Sequence, residues 1–184
     1  MGGVVDISLP NVSYCEDVKD VHYTPYNLVR FYVGEITGTT PQTVKIYTDS
    51  STSVDVQVSE GNKWYTYVLP KDKGLYKIEG DSVKKVVVKA DINGDKYIIP
   101  KTTIEASFKG SDTSKITNMD SMFESYSGLT SLDLSKWDIS EGTIITNMFE
   151  GCSNSLTIRM KGCSEDTINK IRGVKPSSAE ITTK

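Results

Sequence analysis

Ile116-Thr117-Asn118-Met119-Asp120-Ser121-Met122-Phe123-Glu124-Ser125-Tyr126-Ser127-Gly128-Leu129-Thr130-Ser131-Leu132-Asp133-Leu134-Ser135-Lys136-Trp137-Asp138-Ile139-Ser140 is the stretch whose reading decides the fold. Its Met122-Phe123-Glu124 returns downstream as Met148-Phe149-Glu150. The shift that takes Met122 to Met148 also carries Leu132 to Ile158 and Leu134 to Met160, and run backwards it finds Ala106 and Phe108. In each unit the alternating apolar pair precedes the Met-Phe pair by the same interval, from Phe108 to Met122 and from Leu134 to Met148. Several positions sharing one shift argue for an internal repeat.

The physical consequence is a stack. An alternating pair puts two side chains on one face of a short strand, and the Met-Phe pair packs against them from the returning arm. One unit cannot bury that face alone, so units must stack on one another. Ala106/Phe108, Leu132/Leu134 and Ile158/Met160 are expected on adjacent parallel strands, about 4.8 Å apart. The period falls in the leucine-rich-repeat range of roughly 20–29 residues. Met119, Met122, Phe123, Leu129, Leu132, Leu134, Met148, Phe149, Ile158 and Met160 are the expected repeat core.

The stretch from Ile116 to Ser140 resembles a BspA-type leucine-rich repeat. Tyr126 stands where that pattern usually has a cysteine, and Cys152 restores it one unit later. In the second unit Thr146-Asn147 abuts Met148-Phe149. Either three residues are missing there, or Ile145 takes the place of Met119 while the register holds. The resemblance is confined to the C-terminal part of the chain, from near Thr102 onward. It implies a parallel solenoid with a binding or adhesive role, of the kind found in surface proteins of bacteria and protozoa and in phage proteins.

Upstream, residues 4–100 read as β. Leu28–Val33, Val44–Tyr47, Val54–Val58 and Trp64–Leu69 are alternating or apolar runs separated by Gly, Asn and Ser clusters. Val86–Val88 and Tyr97–Ile99 flank Asn93-Gly94, which suits a type I′ hairpin turn. Asp91–Asp95 also resembles the start of a calcium loop, but Thr102 stands where its closing Glu belongs, so a turn is the better reading. Near the end, Ser164 is an N-cap, Glu165 and Asp166 favour a helix start, and Gly173 and Pro176 favour its end. Ala179–Thr182 reads as a closing strand. The expected architecture is mainly β: an N-terminal antiparallel sandwich or barrel-like domain over 1–100, then a short leucine-rich-repeat solenoid with a C-terminal capping helix over 101–184. Because no helix caps the first repeat unit, the β-domain is expected to cover it near Ile104–Phe108.

Composition narrows the function. In 184 residues, 37% are hydrophobic and 24% charged, enough for a core and too little charge for a disordered chain. The net charge of −3 disfavours nucleic acid as a partner, since phosphate contacts need surplus Lys and Arg. No apolar run is long enough for a membrane span, and the start lacks the basic and apolar regions of a signal peptide. His22 is the one histidine. No nucleophile elbow, metalloprotease, paired-cysteine or phosphate-loop motif is present, and nothing selects a carboxylate pair. No catalytic residue, cofactor or metal is therefore expected. Three cysteines, Cys15, Cys152 and Cys163, are an odd count for a disulfide scaffold. Cys152 and Cys163 could pair across stacked units, but buried free thiols are the commoner use of such positions. Trp64, Tyr65 and Tyr67 suggest an aromatic sugar platform, although alternation sends Tyr65 and Tyr67 to one face and Trp64 to the other. Trp137 is expected to pack between units.

The expected function is a non-enzymatic structural or attachment protein. A phage virion protein at the virion surface is the first reading, and a fragment of a secreted bacterial adhesin the second. Partners would be virion components or host-surface proteins, a surface glycan, or further copies of the chain.

Overall fold

The structure is a computed structural model that describes residues 3–5, 28–70 and 72–184. His22 and Cys15 lie outside the described residues. The described residues form eleven strands and one helix: β1 (Gly3–Val5), β2 (Leu28–Val33), β3 (Gln42–Tyr47), β4 (Ser53–Val58), β5 (Lys63–Val68), β6 (Lys77–Glu79), β7 (Val83–Lys89), β8 (Glu105–Ser107), β9 (Ser131–Asp133), β10 (Thr157–Arg159), α1 (Glu165–Val174) and β11 (Glu180–Thr182). They are mainly β with one short C-terminal helix.

Eight strands form one sheet in the order β1-β5-β2-β7-β8-β9-β10-β11, and three form a second in the order β4-β3-β6. The first four strands of the large sheet are antiparallel, and every pairing from β7 onward is parallel. The two sheets share one buried cluster, in which Val29, Phe31, Val44, Ile46, Val56 and Ile78 join the repeat residues. The boundary drawn at residue 100 thus falls between two hydrogen-bonded neighbours, with Lys85, Val86 and Val87 of β7 opposite Glu105, Ala106 and Ser107 of β8. The first unit is covered at Ile104–Phe108 by β7: the Ile104 N–H donates to the Lys84 carbonyl at 2.7 Å.

The expected hairpin at Asn93-Gly94 is not formed. Leu75 bridges Ile92 and Lys77 bridges Ile98, both in parallel, so the segment after β7 crosses to the second layer beside β6. Gly94 has φ 122°, while Asn93 is not among the positive-φ residues that a type I′ turn requires at both centres.

The period of the sequence is written in the backbone. Ala106, Leu132 and Ile158 stand opposite one another in β8, β9 and β10. Left-handed φ recurs at Gly110, Lys136 and Gly162 (74°, 66°, 75°), at Ser121 and Asn147 (55°, 54°), and at Ser125 and Gly151 (63°, 73°). Asn147 therefore matches Ser121, and the Met148 N–H bonds the Ile145 carbonyl as the Met122 N–H bonds that of Met119. The register holds, and Ile145 takes the Met119 position. The aromatic slot extends one unit further back than Met-Phe-Glu suggests, because Tyr97, Phe123 and Phe149 are spaced one period apart and all are buried. Phe123 stacks on Phe149 at 5.5 Å, Phe108 lies 5.8 Å from Phe123, and Tyr97 stacks on Phe108 at 5.1 Å.

At the far end, Ser164 caps α1 by accepting from the Thr167 N–H at 3.2 Å, and Thr167, Ile168 and Ile171 are its buried residues. Thr167 also takes the Ile139 N–H at 3.0 Å, which seats the helix on the last full unit.

Phe123→Ala and Phe149→Ala should each cost about 3–5 kcal/mol through lost burial and the cavity left behind. Set against a total stability of about 5–15 kcal/mol, urea melts should show a large fall in midpoint for both. Near-wild-type midpoints would show that the column is not core. Burial pushes the Tyr126 hydroxyl up to about 12 while it bonds the Ile99 carbonyl at 2.5 Å. The unfolded phenol ionises near 10, so the unfolded state loses its proton first as pH rises. Stability from this group is full below about pH 10 and should fall between about pH 10 and 12. A Tyr126→Phe variant should be less stable at neutral pH and lose less between those values.

Candidate binding surface

All ten repeat-core residues are buried, and none reaches the surface as a contact: Met119, Met122, Phe123, Leu129, Leu132, Leu134, Met148, Phe149, Ile158 and Met160 line the interior between the two layers. A binding role must therefore fall on the side chains that alternate with them. Strand alternation and register place these in rows across the outer face of the large sheet. One row runs Trp64, Tyr32, Lys85, Glu105, Ser131, Thr157, continuing to Glu180 in β11. It spans both the antiparallel and the parallel strands, which no local reading of either would reveal.

The row has internal order. The Tyr32 and Trp64 rings meet edge to face at 5.6 Å, and the Arg30 guanidinium lies 5.1 Å over the Trp64 ring. The Lys85 ammonium sits 5.4 Å over Tyr32 and 3.2 Å from the Glu105 carboxylate. Partly covered surface pairs of this kind add little stability, about 0–1 kcal/mol, so their main effect is to fix side-chain positions. Behind this row lies a second one, Thr66, Arg30, Val87, Ser107 and Asp133, which is buried. There the Asp133 carboxylate accepts the Ser135 N–H at 2.9 Å, a local turn that closes the strand.

Of the expected sugar platform, only Trp64 is on this outer face. Tyr65 and Tyr67 are buried, with Tyr65 stacked on Phe31 at 5.7 Å. The aromatic partner is Tyr32, which alternation in Leu28–Val33 could have supplied had the pairing of β2 with β5 been known. Trp137 packs between units: it is buried, and its indole N–H donates to the Phe108 carbonyl at 2.9 Å.

The two described cysteines are free thiols occupying repeated donor slots. Cys163 lies one period after Trp137 and donates to the Leu134 carbonyl at 3.3 Å, as Trp137 does to the equivalent Phe108. Cys152 lies one period after Tyr126 and donates to the Phe123 carbonyl at 2.8 Å. Burial pushes both thiols up. That disfavours the thiolate and hence nucleophilic or redox reactivity.

Depressions also mark the described surface. One of about 550 Å³ lies between β3, β6 and the segment 98–102, lined by Lys45, Lys77, Glu79 and Lys101. Most of its charges are already paired, Lys45 to Asp55 at 3.1 Å and Lys77 to Glu79, while Tyr47 donates to Glu79 at 2.9 Å. A second, of about 510 Å³, lies at the far end of the stack beside Asn147, Phe149 and Gly151. A third, of about 240 Å³, is bounded by Asp91, Asp112 and Lys115. Among the described residues no helix is long and apolar enough to cross a membrane.

Residues 96–166 match a known family model. Its description is "Mycoplasma protein of unknown function, DUF285". It is a BspA-like surface-repeat family. The match begins beside Tyr97, where the aromatic slot of the period begins, and ends in the first turn of α1. No curated protein and no solved structure matches the chain.

Buried, hydrogen-bonded thiols should react slowly. In the folded protein Cys152 and Cys163 should modify with an aromatic disulfide reagent far more slowly than in denaturant, and peptide mapping should find no Cys152–Cys163 bridge. Equal rates in both states, or a mapped bridge, would contradict the assigned slots.

Proposed function

We propose that the chain is a non-enzymatic attachment protein whose repeat units form a leucine-rich-repeat solenoid of the surface-protein type. The single observation that carries this reading is the continuous outer row from Trp64 to Thr157. It aligns an aromatic pair, an ion pair and two hydroxyl residues on one rigid sheet. Aromatic faces suit the apolar side of a sugar ring or a partner side chain. The charged and hydroxyl groups beside them can exchange hydrogen bonds with a polar ligand. The sandwich strands anchor the chain in its assembly, and the repeat strands extend the surface it presents.

Two settings are compatible with such a module. A virion surface explains a sandwich fused to a surface-type repeat. A bacterial surface adhesin is the second setting, and the matched family's description, which names a Mycoplasma protein, is consistent with a bacterial source.

The test is retention of the purified chain on panels of immobilised glycans and host-surface proteins, with melting recorded in parallel. The Trp64→Ala and Lys85→Glu variants should lose binding by about tenfold or more, about 1.4 kcal/mol per decade, with midpoints close to wild type. Turnover of a polysaccharide or peptide, abolished by replacing one carboxylate pair, would overturn the non-enzymatic reading. Binding unaffected by both variants would move the site off the outer row.

A further inference from the structure

The two layers of the stack end differently at the far side, and one of them is left open. Inside the stack, backbone N–H groups reach forward to the carbonyls of the next unit. In the returning arm Met119, Ser121, Phe123 and Ser125 donate to the carbonyls of Ile144, Thr146, Met148 and Glu150 at 2.7, 3.0, 2.8 and 2.7 Å. From Met119 to Ser125 the arm thus presents its linking donors on one edge and its linking acceptors on the other, with left-handed φ recurring at Ser121, Ser125, Asn147 and Gly151; only at its start does the Ile144 N–H donate back, to the Thr117 carbonyl at 2.9 Å. Advancing one unit gives Ile145, Asn147, Phe149 and Gly151 as the next donor row. Among the described residues none of these four N–H groups has a hydrogen-bond partner.

Their acceptors would be carbonyls at 170, 172, 174 and 176, where α1 and its exit stand instead. A helix points its carbonyls along its own axis rather than sideways, so α1 covers the apolar core through Ile168 and Ile171 but offers the arm no rung. What remains is the depression of about 510 Å³ between Asn147, Phe149 and Gly151 on one side and Val174, Lys175 and Pro176 on the other. At the opposite edge of the same layer two of the first arm's four linking carbonyls are capped, because the Lys96 and Lys101 ammonium groups donate to those of Asp120 and Glu124.

We propose that this open donor edge is a docking site for an extended peptide segment of a partner protein, which completes the missing rung with main-chain carbonyls at alternate residues. The arm one unit earlier shows the occupant that fits, since the N–H groups of Met119, Ser121, Phe123 and Ser125 are all taken by main-chain carbonyls. A second copy cannot pair symmetrically here, because donors would face donors. Glu150 and Lys175 put one charge of each sign on the rim, so no net positive charge draws a multiply charged anion, whereas neutral carbonyls match the neutral N–H groups. Main-chain addition of this kind takes affinity from the backbone bonds and selectivity from flanking side chains. The site is distinct from the outer row and does not depend on it.

The probe is a blocked synthetic peptide with the sequence of residues 143–153, Ser replacing its Cys, added to the ¹⁵N-labelled full chain. It should shift the amide resonances of Ile145, Asn147, Phe149 and Gly151 and slow their hydrogen exchange by about tenfold. The amides of Met119, Ser121, Phe123 and Ser125 should stay unchanged. Asn154→Trp, which fills the depression, should weaken binding about tenfold or more. The wild-type exchange pattern decides independently if that variant misfolds. No shift of the four amides at about 1 mM peptide, or the same shifts with inorganic phosphate alone, would overturn the proposal.

Discussion

The structure depends on the parallel pairing of β7 with β8. Strand β7 is held on one side by β2 in an antiparallel ladder, and on the other it offers an edge of N–H and C=O groups to β8. A repeat of two to three units is at the lower limit of independent stability, since each unit depends on its neighbours for both hydrogen bonds and burial. Docking β8 on β7 supplies the first unit with a finished neighbour. Tyr97 then does in the interior what β7 does at the surface, filling the aromatic slot ahead of Phe123 and stacking on Phe108. From there each unit is a template for the next until α1 closes the core.

Much of the repeat was legible because burial forces it. Two apolar residues on a strand and a Met-Phe pair on an arm must recur at one spacing if units are to stack, so Leu132, Leu134, Met148 and Phe149 declared themselves. The backbone half of the period was harder to read. The left-handed corner is Gly110 and Gly162 in two units, but Lys136 in the middle one, and a lysine gives no sign of positive φ. The donor slots changed chemistry in the same way. An indole, a phenol and thiols each reach the carbonyl of an earlier segment, and only their shared spacing reveals a common role.

What the sequence did not disclose was where non-local partners lie. Asn93-Gly94 looks like a hairpin turn, but the strand-like run after it is drawn across to β6 because Tyr97 and Ile99 find their burial in the repeat. The row of outer side chains was hidden for the same reason. Tyr32 and Trp64 are neighbours through β2 and β5, and Lys85 meets Glu105 only through the β7–β8 junction. The matched family segment, residues 96–166, leaves out β7, so the element that seeds the stack is outside the region of resemblance.

If the junction makes the antiparallel strands and the parallel stack one body, the two must unfold together. The chain carries two tryptophans, Trp64 in the antiparallel strands and Trp137 between repeat units, so each part has its own reporter. The most direct measurement is ¹⁹F NMR of the full chain labelled with 5-fluorotryptophan, followed through a urea titration. Two native signals should give way to unfolded ones at the same midpoint and with the same slope, as coincident probes do in a two-state transition. Separate midpoints, with the Trp137 signal lost while Trp64 remains native, would contradict the account and return the chain to two independently folded parts.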